Sequence, residues 1–551
     1  MSAVPMDSSA ILVWILYASV ALVLFLLSTA LILYAQPKNG ASSSLAAFAG
    51  TSTLSAAPLT VSSRFVNCVC ILALYVSLLC LFTAPVDVYL LENALPHVPA
   101  NIRALRVMYQ VYFAALALYS FVGAPLAFNY AKQTEIAHLT LKFSTRDRLY
   151  AATKRTACFL LGLSFLLVML MVVLLCGKPA NSDIDWLRPL LKFSSDLETF
   201  LRLLVGILAL TGMYLWLFVC SRGLASVPLV GLLMEDHSID ENMATFEDLL
   251  QENAMETQAT KQTRETILQR YVVEQQMSGA DQERLSQLKT REKLLEERRE
   301  VLNANLQKFA LTGKLSCWKI PIGVVLIILS LLIVVSMLIT SIDKMAHSNF
   351  ERGFLLNAPE FPNPMDLLLV LASRVFPLDY VVFAVLFVYL FTISLIVLMR
   401  HGLQFLCFRL GRLQPRLTSA ATMTMLSLVL MQLAMVGLFA LLTLAPQYAT
   451  FGHQMFADAS GRVVPCTLQE AANAAAAAAK SGGLQTHCRM TQLAKFYNAL
   501  AVELPMFGTA FFIGQFLFAA AFVPWIAHAY CMAKKLDDPI DPKRIRLLDD
   551  Y

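Results

Sequence analysis

The sequence predicts an all-α polytopic membrane protein, with nine transmembrane helices and a cytoplasmic helical hairpin. Three observations carry this. Hydrophobic residues make up 58% of the 551 and charged residues 15%, against about 45–50% and about 25% in soluble domains. Nine long stretches are free of Asp, Glu, Lys and Arg, but for Asp458 near the end of the eighth. Those stretches are continuously apolar, not alternating as barrel strands are. A bilayer core offers a bare backbone no hydrogen-bond partner, and a helix of about 20 apolar residues satisfies its own groups. An ordinary soluble enzyme and a disordered chain are excluded. The net charge of +5 is too small to indicate a nucleic-acid partner.

The first five runs are Ser8–Pro37, Phe65–Val86, Val107–Ala131, Thr156–Gly177 and Leu203–Ser221, within residues 1–221. The last four are Ile320–Ile342, Tyr380–Met399, Leu417–Gly461 (apolar as far as Ala445) and Leu504–Ala533, within residues 320–533. The first run follows Met1–Asp7, which holds no basic residue, and its apolar core is too long for a signal peptide. It is read as a retained helix. An odd number of spans puts the termini on opposite sides. With the N-terminus lumenal, the short cytoplasmic segments, including the tail 534–551, hold 17 Lys/Arg. The lumenal segments, including the loop 446–505, hold 11 in a greater length. The positive-inside rule then places the C-terminus in the cytoplasm.

Residues 222–319 form the largest non-membrane segment, with 13 basic and 16 acidic residues and few Gly or Pro. Leu288, Leu295, Leu302 and Phe309 recur every seventh residue. Leu285 and Leu306 occupy the alternate seam, which Glu292 and Arg299 interrupt. Ser278-Gly279-Ala280-Asp281 reads as a turn between two helices. Two readings stand: an amphipathic hairpin, or a coiled coil that dimerises or binds a partner. Of 11 cysteines, Cys466 and Cys488 alone sit well out in the lumenal loop, where an oxidising compartment would pair them.

The chain lacks a Walker lysine motif, a dinucleotide glycine fingerprint, a His-Glu-x-x-His pair and a Cys-x-x-Cys pair. Its 8 histidines are scattered without metal-ligand spacing. An enzyme is therefore not expected, nor a metal site. Transport, escort or receptor work fits better. Ionisable residues at membrane depth are costly and mark candidate sites. Asp87 closes the second span, Arg374, Asp379 and Tyr380 flank Pro377 before the seventh, and Gln447 and Tyr448 close the eighth. Pro377 interrupts any helix running from the apolar stretch before it. A re-entrant segment is expected near 365–377, and such broken helices often bound substrate sites. The six residues are read as a lumen-facing vestibule; the competing reading makes them simple caps, with Asp87 and Asp379 solvated at the interface.

At these clusters the sequence resembles the lipocalin-interacting membrane receptor (LIMR) family, and within it the lysosomal cobalamin transport escort branch. The matching stretches are Pro85–Leu90, Ser341–Ser348, Asn363–Leu369, Phe376–Tyr380 and Leu444–Gln454, with the shorter Leu210–Met213. They keep their order along the chain. The resemblance implies a multi-pass lysosomal membrane protein that helps cobalamin (vitamin B12) leave the lumen as cargo, without a tightly bound cofactor. It implies a subfamily D ABC transporter as partner and contact with a cytosolic cobalamin-processing chaperone. It also implies membrane lipid around the helices and, from the likeness to the dimeric retinol receptor fold, a homodimer. The other functions it leaves open are a receptor for a lipocalin-like carrier, at the plasma membrane or another endomembrane, and an endocytic adaptor. The chain carries no Asn-x-Ser/Thr sequon, no acidic dileucine in the cytoplasmic segments and no Asp-x-His-x-x-Gly cobalamin signature.

Overall fold

The computed structural model describes residues 8–36, 64–92, 99–140, 145–176, 197–233, 236–271, 279–314, 316–350, 353–356, 359–405, 408–411, 418–457, 463–468, 470–471, 488–503 and 505–536. Helix α1 spans Ser8–Ala35. Helix α2, Arg64–Phe82, is followed after Thr83 by a short α3, Ala84–Glu92. Next come α4 (Pro99–Leu118), a π-helical turn (Tyr119–Gly123), α5 (Ala124–Thr140) and α6 (Thr145–Cys176). Helix α7 (Leu197–Leu215) runs through a second π turn (Trp216–Cys220) into α8 (Ser221–Leu233). Helices α9 (Asp236–Tyr271) and α10 (Gly279–Lys314) have 36 residues each. Helix α11 covers Ser316–His347, α12 only Pro364–Ser373, and α13 Leu378–His401. A two-stranded hairpin, β1 (Leu403–Phe405) and β2 (Phe408–Gly411), leads to α14 (Ala420–Leu444) and α15 (Pro446–Phe451). A second hairpin, β3 (Met455–Ala457) and β4 (Val463–Pro465), precedes α16 (Gln492–Glu503) and α17 (Pro505–Leu536).

Eight helices among the described residues are long and apolar enough to cross a membrane, one fewer than the nine runs. The fourth run forms the second half of α6, where the side chains beyond 165 lie outside the described residues. An ion pair bears on this difference. Arg106, at the start of the third span, bonds Glu198, at the start of the fifth, at 3.1 Å. Two span starts on one side require two crossings between them. A 32-residue α6 is about 48 Å long, more than the roughly 30 Å hydrocarbon core, and so is long enough to be that crossing. Arg202 joins the same acid at 3.0 Å.

The described residues fall into two compact units, one drawn from 8–36, 64–227 and 329–526 and the other from 228–328 and 527–536. In the first, α14 is the axis. It is apolar all round, as a helix with no solvent or lipid face is, and buried from Ala421 to Leu444 almost without interruption. Neighbours approach it through missing side chains: a Cβ on Gly212 would meet Val436 and Gln432. Both π turns face it. Tyr119 Oη bonds Ser427 Oγ at 2.5 Å, and Trp216 lies against Gly437. Helix α1 is equally apolar but leaves Leu12, Ile15, Leu22 and Leu26 exposed, as a lipid-facing helix does.

In the second unit α9 and α10 pack as an antiparallel pair. Leu295 and Leu302 of the predicted seam are buried there. Glu292, which breaks the seam's pattern, meets Arg264 at 2.9 Å, and Asn253 donates to the Leu295 carbonyl at 3.0 Å. At Leu295 and Leu302 the seam is filled from within the chain. The predicted turn residue Ser278 lies outside the described residues.

Candidate functional site

The polar groups singled out from sequence converge at one end of the first unit, in a cap built from α3, α12, α15, α16 and the ends of α2, α13 and α14. The construction starts with α12. Asn363 is its N-cap and Pro364 its first residue, the arrangement in which the ring's missing N–H costs nothing. Asn363 Oδ1 accepts from the amides of Met365 and Asp366. Its Nδ2 donates to the Ser336 carbonyl, to Thr340 Oγ1 and to the Leu444 carbonyl at 2.8–3.2 Å. One side chain therefore ties α12, α11 and the end of α14. Helix α12 ends after ten residues, and Phe376–Pro377 separates it from α13, so the segment does not span.

Two cap acids, Asp366 and Asp87, then accept at a helix start, where amides lack intrahelical partners and the dipole favours negative charge. Asp366 takes the Gln447 and Tyr448 amides of α15 at 3.2 and 2.9 Å. Burial pushes its carboxyl up to about 6, and those two amides oppose the shift. Asp87 on α3 takes the Leu493 amide of α16 at 3.1 Å. Asp379, in the first turn of α13, receives the Tyr448 hydroxyl on Oδ2 at 3.2 Å, while its buried Oδ1 has no partner. Tyr380 donates to the Phe82 carbonyl at 3.2 Å, satisfying the end of α2.

Glu92 sits at the wrong end of α3 for a helix dipole and is held otherwise. Its Oε1 accepts the His453 amide at 2.6 Å and lies 2.7 Å from His453 Nδ1, with Ser373 Oγ at 3.4 Å. Gly452 makes this possible. It has φ +64°, and a Cβ there would land on the Glu92 carboxyl. Gln454 continues the clamp. It donates to the Phe451 and Arg489 carbonyls and accepts the Arg489 amide. That fixes the strap carrying Cys488, which is bonded to Cys466 with the Cα atoms 5.5 Å apart. The pair is buried with Phe451 and Ala471.

The six vestibule residues are thus not placed as an open vestibule requires. Asp87, Asp379, Tyr380 and Tyr448 are buried, and each is used in packing the cap. Asp87 and Asp379 are 2% exposed, so the reading that solvates them fails as well. The structure brings Asp379 to Tyr448 but leaves Asp87 with α16. Gln447 is half-buried with an unpartnered Nε2, and Arg374 is exposed. The reason is that the partners of these groups belong to helices packed against them, so Asp87, Asp379 and Tyr448 are covered by protein rather than open to the lumen. A cavity lies elsewhere, between α1, α2, α13 and α14, among Leu24, Leu78, Leu81, Phe387, Phe391 and Leu433. It encloses about 160 Å³, below the roughly 300–1,000 Å³ of typical ligand pockets. Sequence reasoning missed Glu92, Asn363, Asp366, Ser373 and His453. Asn363-Pro364 was findable as a helix start; the others become functional only through partners remote in the chain. Among the described residues no His, Cys, Asp and Glu cluster could hold a metal ion.

Comparison with known proteins gives a consistent name across distant organisms. The chain is 26% identical over 499 residues to a probable lysosomal cobalamin transporter of Nematostella vectensis, covering 84% of this chain and 88% of that protein. Likewise named proteins of Emericella nidulans (26% identical; 96% and 92% covered) and Coccidioides immitis (27%; 92% and 88%) match nearly end to end. No family model matches. No solved structure matches.

Proposed function

We propose that this chain is a lysosomal multi-pass membrane protein that serves the export of cobalamin from lysosome to cytosol. The observation that carries the reading is the near end-to-end likeness to proteins named as lysosomal cobalamin transporters, on a chain that is itself a bundle of membrane-spanning helices. Transport against a gradient needs an energy source, and this sequence holds no nucleotide motif. An escort role beside a subfamily D ABC transporter, with hand-over to a cytosolic cobalamin chaperone, accounts for that. The cap then faces the lumen, where an oxidising compartment keeps Cys466–Cys488 closed. The hairpin α9–α10 and the tail face the cytosol. A tag placed after Tyr551 is expected to be digested by protease added to intact lysosomes; protection of that tag would reverse the orientation.

The cap is shut around its carboxylates, and the cavity among α1, α2, α13 and α14 is too small for cobalamin; a cargo route through the cap would require it to loosen. Asp379 is the acid to test, because its Oδ1 is already unsatisfied. Cells without the protein are expected to accumulate labelled cobalamin in lysosomes, and the wild-type chain to restore release. Asp379→Asn keeps the size and removes the charge. It is expected to lower release several-fold while expression and trafficking stay normal. Unchanged release would remove Asp379 from the route, whereas absence of accumulation in the null cells would refute the function.

A further inference from the structure

The cavity between α1, α2, α13 and α14 lies at membrane depth. Its position along the helices shows this. Trp216 is near the middle of the span Phe200–Leu229, Val388 near the middle of Leu378–Arg400 and Ala434 near the middle of Ala420–Leu444. All three line the cavity, which therefore sits about halfway across the roughly 30 Å hydrocarbon core. It is not sealed. Leu27 of α1 and Val388 of α13 both line it, and they are 48% and 54% exposed. Its mouth thus opens on the outer surface of the bundle, where the neighbour at that depth is hydrocarbon.

The wall is chiefly Leu and Phe. Two of its hydroxyls are turned onto their own helices: Ser28 Oγ donates to the Leu24 carbonyl at 2.9 Å, and Ser394 Oγ to the Leu390 carbonyl at 2.8 Å. Trp216 is 4% exposed, and its Nε1 is buried with no hydrogen-bond partner among the described residues. Its ring stacks on Phe518 at 5.6 Å and lies against Gly437. A buried water needs about 2–4 polar partners, whereas an apolar cavity of about 150 Å³ stays dry and takes up an apolar guest the size of benzene. A void also forfeits the dispersion contacts of its lining. We infer that the cavity is a binding site for the terminal segment of one acyl chain of a bilayer phospholipid. Depth selects the end of the chain, because the chains of both leaflets meet by their ends at the midplane. The volume of about 160 Å³ selects a single chain end, with no room for a headgroup. The mouth selects the source, since it opens on lipid. The chain end lies against Trp216 and α14, so the bilayer completes the packing of the central helix.

The test is fluorescence quenching of the full-length protein in phosphatidylcholine vesicles whose acyl chains are brominated either near the chain end or near the carbonyl. Bromine quenches an indole only at close range. The chain has 5 tryptophans, and subtracting the emission of Trp216→Phe from that of the wild type isolates Trp216. The expected result is that most of the Trp216 emission is lost with bromine at the chain end and most of it kept with bromine near the carbonyl. Ala434→Leu fills the cavity from α14 and is expected to restore the emission in the chain-end vesicles; Ser28→Leu fills it from α1 and should do the same. The comparison of bromine positions leaves the filled wall out, so it decides the matter even if both of these variants fail to fold. Emission unchanged by chain-end bromine would overturn the site, whether the cavity is then empty, wet or covered by a second copy of the chain. Equal quenching from both bromine positions would do so too. So would quenching that persists in folded Ala434→Leu, because bromines outside the cavity would then be its cause.

Discussion

Gly452→Ala is expected to unfold the cap. Gly452 has φ +64°, which costs a residue with a Cβ about 1–2 kcal/mol. The larger effect is displacement: the methyl would occupy the position of the Glu92 carboxyl. Glu92 then loses the His453 amide and its contact with the imidazole, and leaving a buried carboxyl without its hydrogen bonds costs about 1–3 kcal/mol. The measurement is the thermal midpoint and the monodisperse yield of the detergent-purified protein, both of which should fall sharply. Gly452→Asn separates the two causes. Asn tolerates positive φ but carries a Cβ, so it is expected to fail as Ala does; recovery with Asn would show that backbone strain alone was at work. In a Glu92→Ala background the Gly452→Ala substitution should cost only the backbone strain of about 1–2 kcal/mol, since the carboxyl it displaces is gone.

Cys466→Ser is expected to have the next largest effect. The bridge spans a sequence separation of 22, and a loop of that length is worth on the order of 3 kcal/mol in the chain-entropy model. The bridge also holds a small apolar cluster, with Phe456, Leu468 and Met490 packed against its buried members. Reductant should lower the midpoint of the wild-type protein and leave Cys466→Ser unchanged. A wild-type midpoint indifferent to reductant would show that the Gln454 clamp alone holds the strap. The double variant with Cys488→Ser should match the single one, since either change opens the same loop.

The membrane helices were legible because a bilayer imposes a one-dimensional rule. Each span must be apolar over its own length and bond its own backbone, so every run carries its evidence locally. The short α12 was legible for the same reason: an apolar segment too brief to span, stopped by Pro377. The cysteines needed only an exposed loop and an oxidising side. The heptad in α10 was visible, yet its defect at Glu292 made sense only once Arg264 of α9 stood opposite. The proposed vestibule shows the limit most clearly. Asp87, Asp379 and Tyr448 stood out as costly residues at helix ends, which was sound, but their purpose depends on partners far along the chain. Asp87 meets Leu493 across 406 positions, Ser373 meets Glu92 across 281, and Asp366 meets Tyr448 across 82. No periodicity records such pairs. A carboxylate at a helix end reads the same whether it faces water, a cargo or another helix's bare amides. The difference is made by the packing of α14 at the centre, which brings the starts of α15 and α16 against α12 and α3, excludes water, and turns four acids into the bonds that close the cap.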